Sequence, residues 1–285
     1  MYYFKGDYVA AEKAFLDLMQ RFLDVTRRQH EHDEDQAVLE LSVKLANTYA
    51  KLGHVEKAEK GYRYTIEKQR RVYHAAIAKE RSKSIRKATG PELYEPGAEC
   101  CAFTAACHEA YAQFLFDQKR YDESRPHYVE ALKIASEVYS STHMTQIVLL
   151  EQCGRVSMRL GDYAEAERYF ETLVSRCVSR PTATPDEIVE LNSLYIPGYY
   201  AYLAECQWRL GKRDQAVETA RKVVRLAREA LQTTIITAGG DNEQSLTVNA
   251  ARTTLQEAMD YLARKETELR SKQVADVDKK KGWIW

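Results

Sequence analysis

The side chains with the most reactive chemistry in this 285-residue chain are six cysteines, Cys100, Cys101, Cys107, Cys153, Cys177 and Cys206. None forms a C-x-x-C pair, so neither a zinc knuckle nor a dithiol redox centre is spelled out. Adjacent Cys100 and Cys101 seldom bridge one another. The remaining four fall in segments with helical periodicity, where a thiol serves as a small apolar packing residue in a reducing compartment. The run His30-Glu31-His32-Asp33-Glu34-Asp35 offers metal-ligating groups, but it sits in an expected loop and lacks further ligands in register, so no metal is expected. No Ser-His-Asp ordering, phosphate-cradling Gly loop or H-E-x-x-H occurs, and Gly239-Gly240-Asp241 reads as a turn. Neither catalysis nor a cofactor is expected.

Charge narrows the partners. Lys+Arg and Asp+Glu both number 42, so nothing in the overall balance asks for nucleic acid or an anionic membrane, and any preference must be local. One local excess stands out: Lys68, Arg70, Arg71, Lys79, Arg81, Lys83, Arg86 and Lys87 face only Glu80. Within it Arg81, Lys83, Arg86 and Lys87 are a candidate basic contact for an acidic partner; the plain alternative is the solvated side of a helix. The end, Lys279-Lys280-Lys281-Gly282-Trp283-Ile284-Trp285, is basic with aromatic residues last. No apolar run approaches the roughly 18 residues of a membrane span.

The elements that position these residues are helices. Apolar residues are 45% of the chain, while only 12 Gly and 6 Pro are present, too few for a turn-rich β fold. A local pattern recurs: Gly-x-Tyr or a variant, a small residue three positions after the aromatic, and an aromatic four further on. It appears as Gly6-Asp7-Tyr8…Ala11…Phe15, Gly53-His54-Val55…Ala58…Tyr62 and Lys119-Arg120-Tyr121…Ser124…Tyr128. It returns as Gly161-Asp162-Tyr163…Ala166…Phe170 and, without aromatics, as Gly211-Lys212-Arg213…Ala216…Ala220. The Gly closes a first helix in the left-handed conformation. The small residue allows close approach of the second helix, and the aromatic fills the gap to the next pair. First helices supply Leu45, Ala46 and Tyr49, then Tyr111, Ala112 and Leu115, then Cys153 and Gly154, then Leu203 and Ala204. This is the tetratricopeptide pattern, and it predicts an all-α, right-handed superhelical solenoid.

Successive turns lie 47, 66, 42 and 50 residues apart, all beyond the 34-residue repeat. Insertions are expected near 27–36, 82–99, 179–186 and 238–242. A single array of about five repeats should span 1–273, with the first repeat incomplete, a long basic insertion at 68–99, and a basic and aromatic tail at 274–285. Leu246, Leu255, Met259, Leu262 and Leu269 mark a C-terminal capping helix. Met1–Lys5 is too short for a first helix, so a longer natural precursor is expected.

Such arrays bind with the concave face made by their first helices. Counting back from each turn places Lys44, Asn47 and Lys51 there, then Glu109, Gln113 and Phe116. Glu151, Arg155, Met158 and Arg159 follow, then Tyr202, Glu205, Trp208 and Arg209. Aromatics, Met and Arg are the residue types of interface anchors. The competing reading for Phe116, Met158 and Trp208 is helix packing alone. Lys44 and Asn47 resemble half of the clamp with which chaperone-binding repeats grip a terminal carboxylate, but Ala110 stands where the next Asn would be.

Between the turns, Asp35–Ala50, Gly61-Tyr62, Cys107–Leu115, Tyr128–Glu137 and Thr145–Leu149 are similar, in order, to the mitochondrial tetratricopeptide repeat protein 19 family. The resemblance extends over about Tyr3 to Val174 and fades from the Pro181…Pro185 loop onward. It implies a non-catalytic adaptor at the mitochondrial inner membrane that associates with respiratory complex III. Such an adaptor promotes clearance of fragments of the Rieske subunit, with membrane association through an upstream segment or through the partner complex. The rival resemblance is to the light chain of kinesin, which shares the 42-residue spacing from Lys119 to Gly161 and the Thr142-His143 position. It implies a cytosolic cargo adaptor.

Overall fold

A computed structural model describes residues 6–29, 36–84, 96–178, 195–237 and 246–281. Ten helices and no strand occur among them. They are α1 (Tyr8–Gln29), α2 (Gln36–Lys51), α3 (Val55–Ser84), α4 (Pro96–Asp117) and α5 (Tyr121–Val138). The rest are α6 (Met144–Leu160), α7 (Tyr163–Val178), α8 (Ile196–Arg209), α9 (Arg213–Thr237) and α10 (Leu246–Lys281). The chain forms two compact units, Met1–Leu149 and Leu150–Trp285.

The turns sit where the spacing predicts them. Positive φ occurs at Gly6 (74°), Gly53 (79°), Gly161 (80°) and Gly211 (81°), and at one described non-Gly residue, Lys119 (61°). Four of these turns close in one manner. The N–H after the left-handed residue reaches back to the last turn of the first helix: His54 to the Tyr49 carbonyl at 2.8 Å, Arg120 to Leu115, Asp162 to Ser157 and Lys212 to Gln207, each at 2.9 Å. This is the Schellman closure, which satisfies carbonyls the helix end leaves open. Lys119 adopts the same backbone as the glycines although it carries a Cβ.

Each turn sets the small residue against the preceding helix. Ala58, Ser124, Ala166 and Ala216 are all buried, and the Ser124 hydroxyl donates to the Ala112 carbonyl at 2.7 Å. In the first unit Ala46, Ala58, Tyr62, Tyr111, Phe114 and Leu115 form one core cluster joining α2, α3 and α4. In the second unit Gly154 faces the ring of Phe170, where a Cβ would lie 2.7 Å from Cζ, so the residue must be Gly for the helices to meet.

Two helices run longer than a repeat unit requires. The start of the basic segment continues α3, which runs to Ser84. Its buried Gln69 donates to Thr104 Oγ1 of α4 at 3.0 Å, while the neighbouring Arg70 and Arg71 are exposed. At the other end, helix continues through Lys281, past the expected boundary at 273. No Gly or Pro interrupts Val274–Lys281, so nothing local stops the helix before Gly282. The His30–Asp35 run and the Trp283–Trp285 aromatics lie outside the described residues.

The capping helix packs through a face the Leu stripe reveals only in part. Val248, Ala251 and Ala258 are buried, and Leu262 and Leu269 cover Trp208, Ala216 and Val217. Met259 is 43% exposed and lies off that face. The spacing 248, 251, 255, 258, 262, 265, 269 alternates threes and fours, the period of a helix laid along another helix. No described helix is long and apolar enough to cross a membrane.

Candidate protein-binding grooves

In the first unit α2 and α4 are neighbouring first helices, and between them lies a hollow of about 390 Å³. Asn47 and Lys51 line it from α2, Glu109 and Gln113 from α4, and Tyr62 of α3 closes its base. Four of the six residues predicted for this stretch are thus brought together. Lys44 is exposed but does not line the hollow. Phe116 packs edge-on against Tyr121, with centroids 5.1 Å apart.

The carboxamides here are partly committed to the fold. The Tyr62 hydroxyl donates to Asn47 Oδ1, and the Tyr128 hydroxyl donates to Gln113 Oε1 at 2.8 Å. Gln113 Nε2 in turn donates to Asp117 at 2.7 Å. In these two repeats the second-helix tyrosine therefore fixes the groove-facing amide of its own first helix. Glu109 is different: burial pushes its carboxyl above its usual value, and no hydrogen bond or ion pair serves it among the described residues. A half-buried carboxylate without a cation costs stability that an arriving donor recovers.

In the second unit α6 and α8 bound a hollow of about 290 Å³ lined by Arg155, Met158, Arg159, Tyr163, Tyr202, Glu205 and Arg209. Six of these seven were predicted from the turns alone. Glu151 stands beside them, 3.7 Å from Arg155, with its carboxyl pushed upward by burial. Tyr202 stacks on Phe170 at 5.1 Å, which fixes its ring at the groove wall.

Trp208 is placed otherwise. It is 7% exposed, with Arg213 and Lys265 over its ring at 4.8 and 4.6 Å and Leu262 and Leu269 packed against it. Its indole is a packing surface for α10, so it is not presented to a partner. Glu205 is drawn toward the same helix. Arg209 Nε donates to its Oε1 at 2.7 Å, and the Tyr261 hydroxyl donates to Oε2 at 3.0 Å. Lys265 lies 3.3 Å from Oε2. Burial alone would raise the Glu205 carboxyl, but the bonds from Arg209, Lys265 and Tyr261 outweigh it and hold the group below its ordinary value. Tyr163, Tyr261 and Lys265 were not anticipated. Tyr163 was legible as the turn aromatic, whereas the i, i+4 pair Tyr261 and Lys265 carries no local mark of facing α8 rather than solvent.

Of the candidate basic contact, Arg81 and Lys83 fall near the end of α3, and Arg86 and Lys87 lie outside the described residues. Among the described residues no cluster of His, Cys, Asp or Glu has the geometry to hold a metal. All six cysteines are buried and unbridged.

Stacked helix pairs with Schellman turns and paired grooves define an all-α tetratricopeptide-repeat protein. Two tetratricopeptide repeat family models match residues 103–177 and 197–222. The chain is similar to "Tetratricopeptide repeat protein 19, mitochondrial" of Mus musculus, with 27% identity over 169 residues, 59% of this chain and 43% of the relative. The Drosophila melanogaster homologue of that protein is 25% identical over 219 residues, 74% of this chain and 53% of the relative. The chain thus spans about half the length of these curated relatives, or less. Among solved structures, the nearly identical TPR-like repeats of a Podosopora anserina kinesin light chain match at TM-score 0.50 and 17% identity, over 88% of this chain and 98% of that one. The apo form of RapI matches at TM-score 0.52 and 15% identity, over 99% of this chain and 69% of that one. At such identities these structures speak to the fold alone.

Proposed function

We propose that this chain is a non-catalytic protein-binding scaffold of the mitochondrion that supports respiratory complex III. The observation that carries the reading is the likeness to mitochondrial tetratricopeptide repeat protein 19, which spans 169 residues, 59% of the chain. In this reading the scaffold binds complex III and promotes removal of Rieske-subunit fragments, while the proteolysis itself belongs to other proteins. Its place is the inner membrane, reached through an upstream segment or through the partner complex, and nucleic acid is not a partner. The grooves supply what such a role needs: fixed amide and charged groups on rigid first helices, flanked by Met158 and Tyr202 as apolar contact.

Proximity cross-linking with mass spectrometry on the full-length tagged protein in its own cells tests this. Recovery of complex III subunits, the Rieske protein among them, is the expected result. Recovery of motor heavy chains or vesicle cargo in their place would replace it with the cytosolic adaptor reading.

A further inference from the structure

The first-unit hollow contains a carboxylate that the fold leaves unpaired. Glu109 lines it from α4, is half-buried, and has no hydrogen bond or ion pair among the described residues. Burial alone acts on its carboxyl and raises it, so no described cation stands near enough to draw it back. Two other charges line the hollow, and neither serves Glu109. Lys51 is exposed and forms no ion pair with it. Asp117 is exposed and accepts from Gln113 Nε2 at 2.7 Å.

The surroundings suit more than a bare charge. Ala106 and Ala110 present only methyl groups to the hollow, which leaves about 390 Å³ open beside the carboxylate. Tyr62 and Phe114, both buried and 5.2 Å apart between ring centroids, back it with aromatic surface. Tyr62 is tied to Asn47 and Gln113 to Tyr128, so these walls are set before a partner arrives. Methyl groups and aromatic rings suit the methylene stem of a long side chain, and a carboxylate beside them suits a cationic head.

We infer that this hollow receives a basic side chain, Lys or Arg, from a segment of a partner protein, with its cationic head on Glu109. The inference rests on the scaffold reading and adds the chemistry of what the scaffold grips. Charge complementarity at Glu109 selects the occupant. An acidic segment would bring a second anion to a carboxylate already short of water. An apolar one would seal that carboxylate away without a counter-charge.

The test is fluorescence anisotropy of the full chain at near-physiological salt, with a labelled Lys/Ser-rich peptide and a counterpart carrying Gln for each Lys. The Lys peptide is expected to bind at least about tenfold tighter, as a charge-assisted bond in a partly desolvated site implies. Glu109→Gln should abolish most of that preference. Glu171→Gln, which removes the same charge from exposed surface of α7 in the other unit, should leave it intact. Because the carboxylate is unpaired in the free protein, Glu109→Gln should also raise the thermal midpoint by about 2 °C. Ala106→Leu, at an exposed position on the hollow, narrows it with every charge kept and should weaken the Lys peptide by a similar factor. Equal affinity for the two peptides, a preference that survives Glu109→Gln, a lowered midpoint in that variant, or unaltered Lys-peptide affinity in Ala106→Leu overturns the inference. If the peptides bind equally while complex III subunits are still recovered from cells, the inference fails alone. If the preference depends on Glu109 but no complex III is recovered, the assignment to that complex fails alone.

Discussion

Lys119 holds a backbone conformation that the other four turns entrust to Gly, at φ 61°. A Cβ in that region costs about 1 kcal/mol, and Gly removes the clash while adding some freedom to the unfolded chain. Lys119→Gly should therefore stabilise the first unit by about 0.5 kcal/mol, read as a rise in the urea midpoint at constant slope. An unchanged or lower midpoint would mean that the lysine side chain contributes more than its backbone costs. The same scale explains Glu109, whose carboxyl is raised by burial with nothing to offset it. Groups kept in such a state mark functional surfaces more often than stable ones.

At the scale of elements, two contacts carry testable consequences. Helices α4 and α5 meet through His108 and His127, whose Nδ1 atoms lie 3.0 Å apart and share one N–H. Burial, then the neighbouring His127, pushes His108 down from 6.5 to about 4, and burial, then Arg63, lowers His127. Glu130 and Arg70 act on His108, and Glu123 on His127, in opposing senses. Because the folded values are depressed, the unfolded chain binds protons first. The pair's stability is therefore complete above pH 6.5 and drains away as pH falls toward 4. Partial exposure tempers this to about 1 kcal/mol between neutral pH and pH 5. His127→Gln should flatten that loss in urea titrations at the two pH values; an equally steep loss in the variant would place its origin elsewhere. The second contact is α10 over Trp208. Trp208→Ala should cost about 3 kcal/mol, whereas Met259→Ala on the exposed side of α10 should stay within about 0.5 kcal/mol. Comparable losses from both, measured by thermal unfolding, would mean that α10 does not pack through the face described.

Across the whole molecule, the sequence determined what local physics determines. The positions of the turns, the pairing of helices and the small residues at their crossings follow from left-handed closures and from side chains three and four positions apart, all written within a few residues. Even the non-Gly turn at Lys119 was legible, because Tyr121, Ser124 and Tyr128 kept its phase. Counting from those turns also brought Asn47, Lys51, Glu109 and Gln113 to one hollow and Arg155, Met158, Arg159, Tyr202, Glu205 and Arg209 to another. Tertiary structure alone decided which of these side chains are free to act. An apolar residue on a first helix has the same sequence signature whether it faces a groove or a later helix, so Trp208 was ambiguous until α10 was seen to cover it. Asn47 and Gln113 look open until the hydroxyls of Tyr62 and Tyr128, fifteen residues away in each case, are found on their oxygens. The surroundings of Glu205 were equally hidden. Only the tertiary structure places Tyr261 and Lys265 on Glu205, more than fifty residues distant. Periodicity fixes which side of its own helix a residue occupies, but whether a neighbour arrives there is a long-range fact that no local pattern encodes.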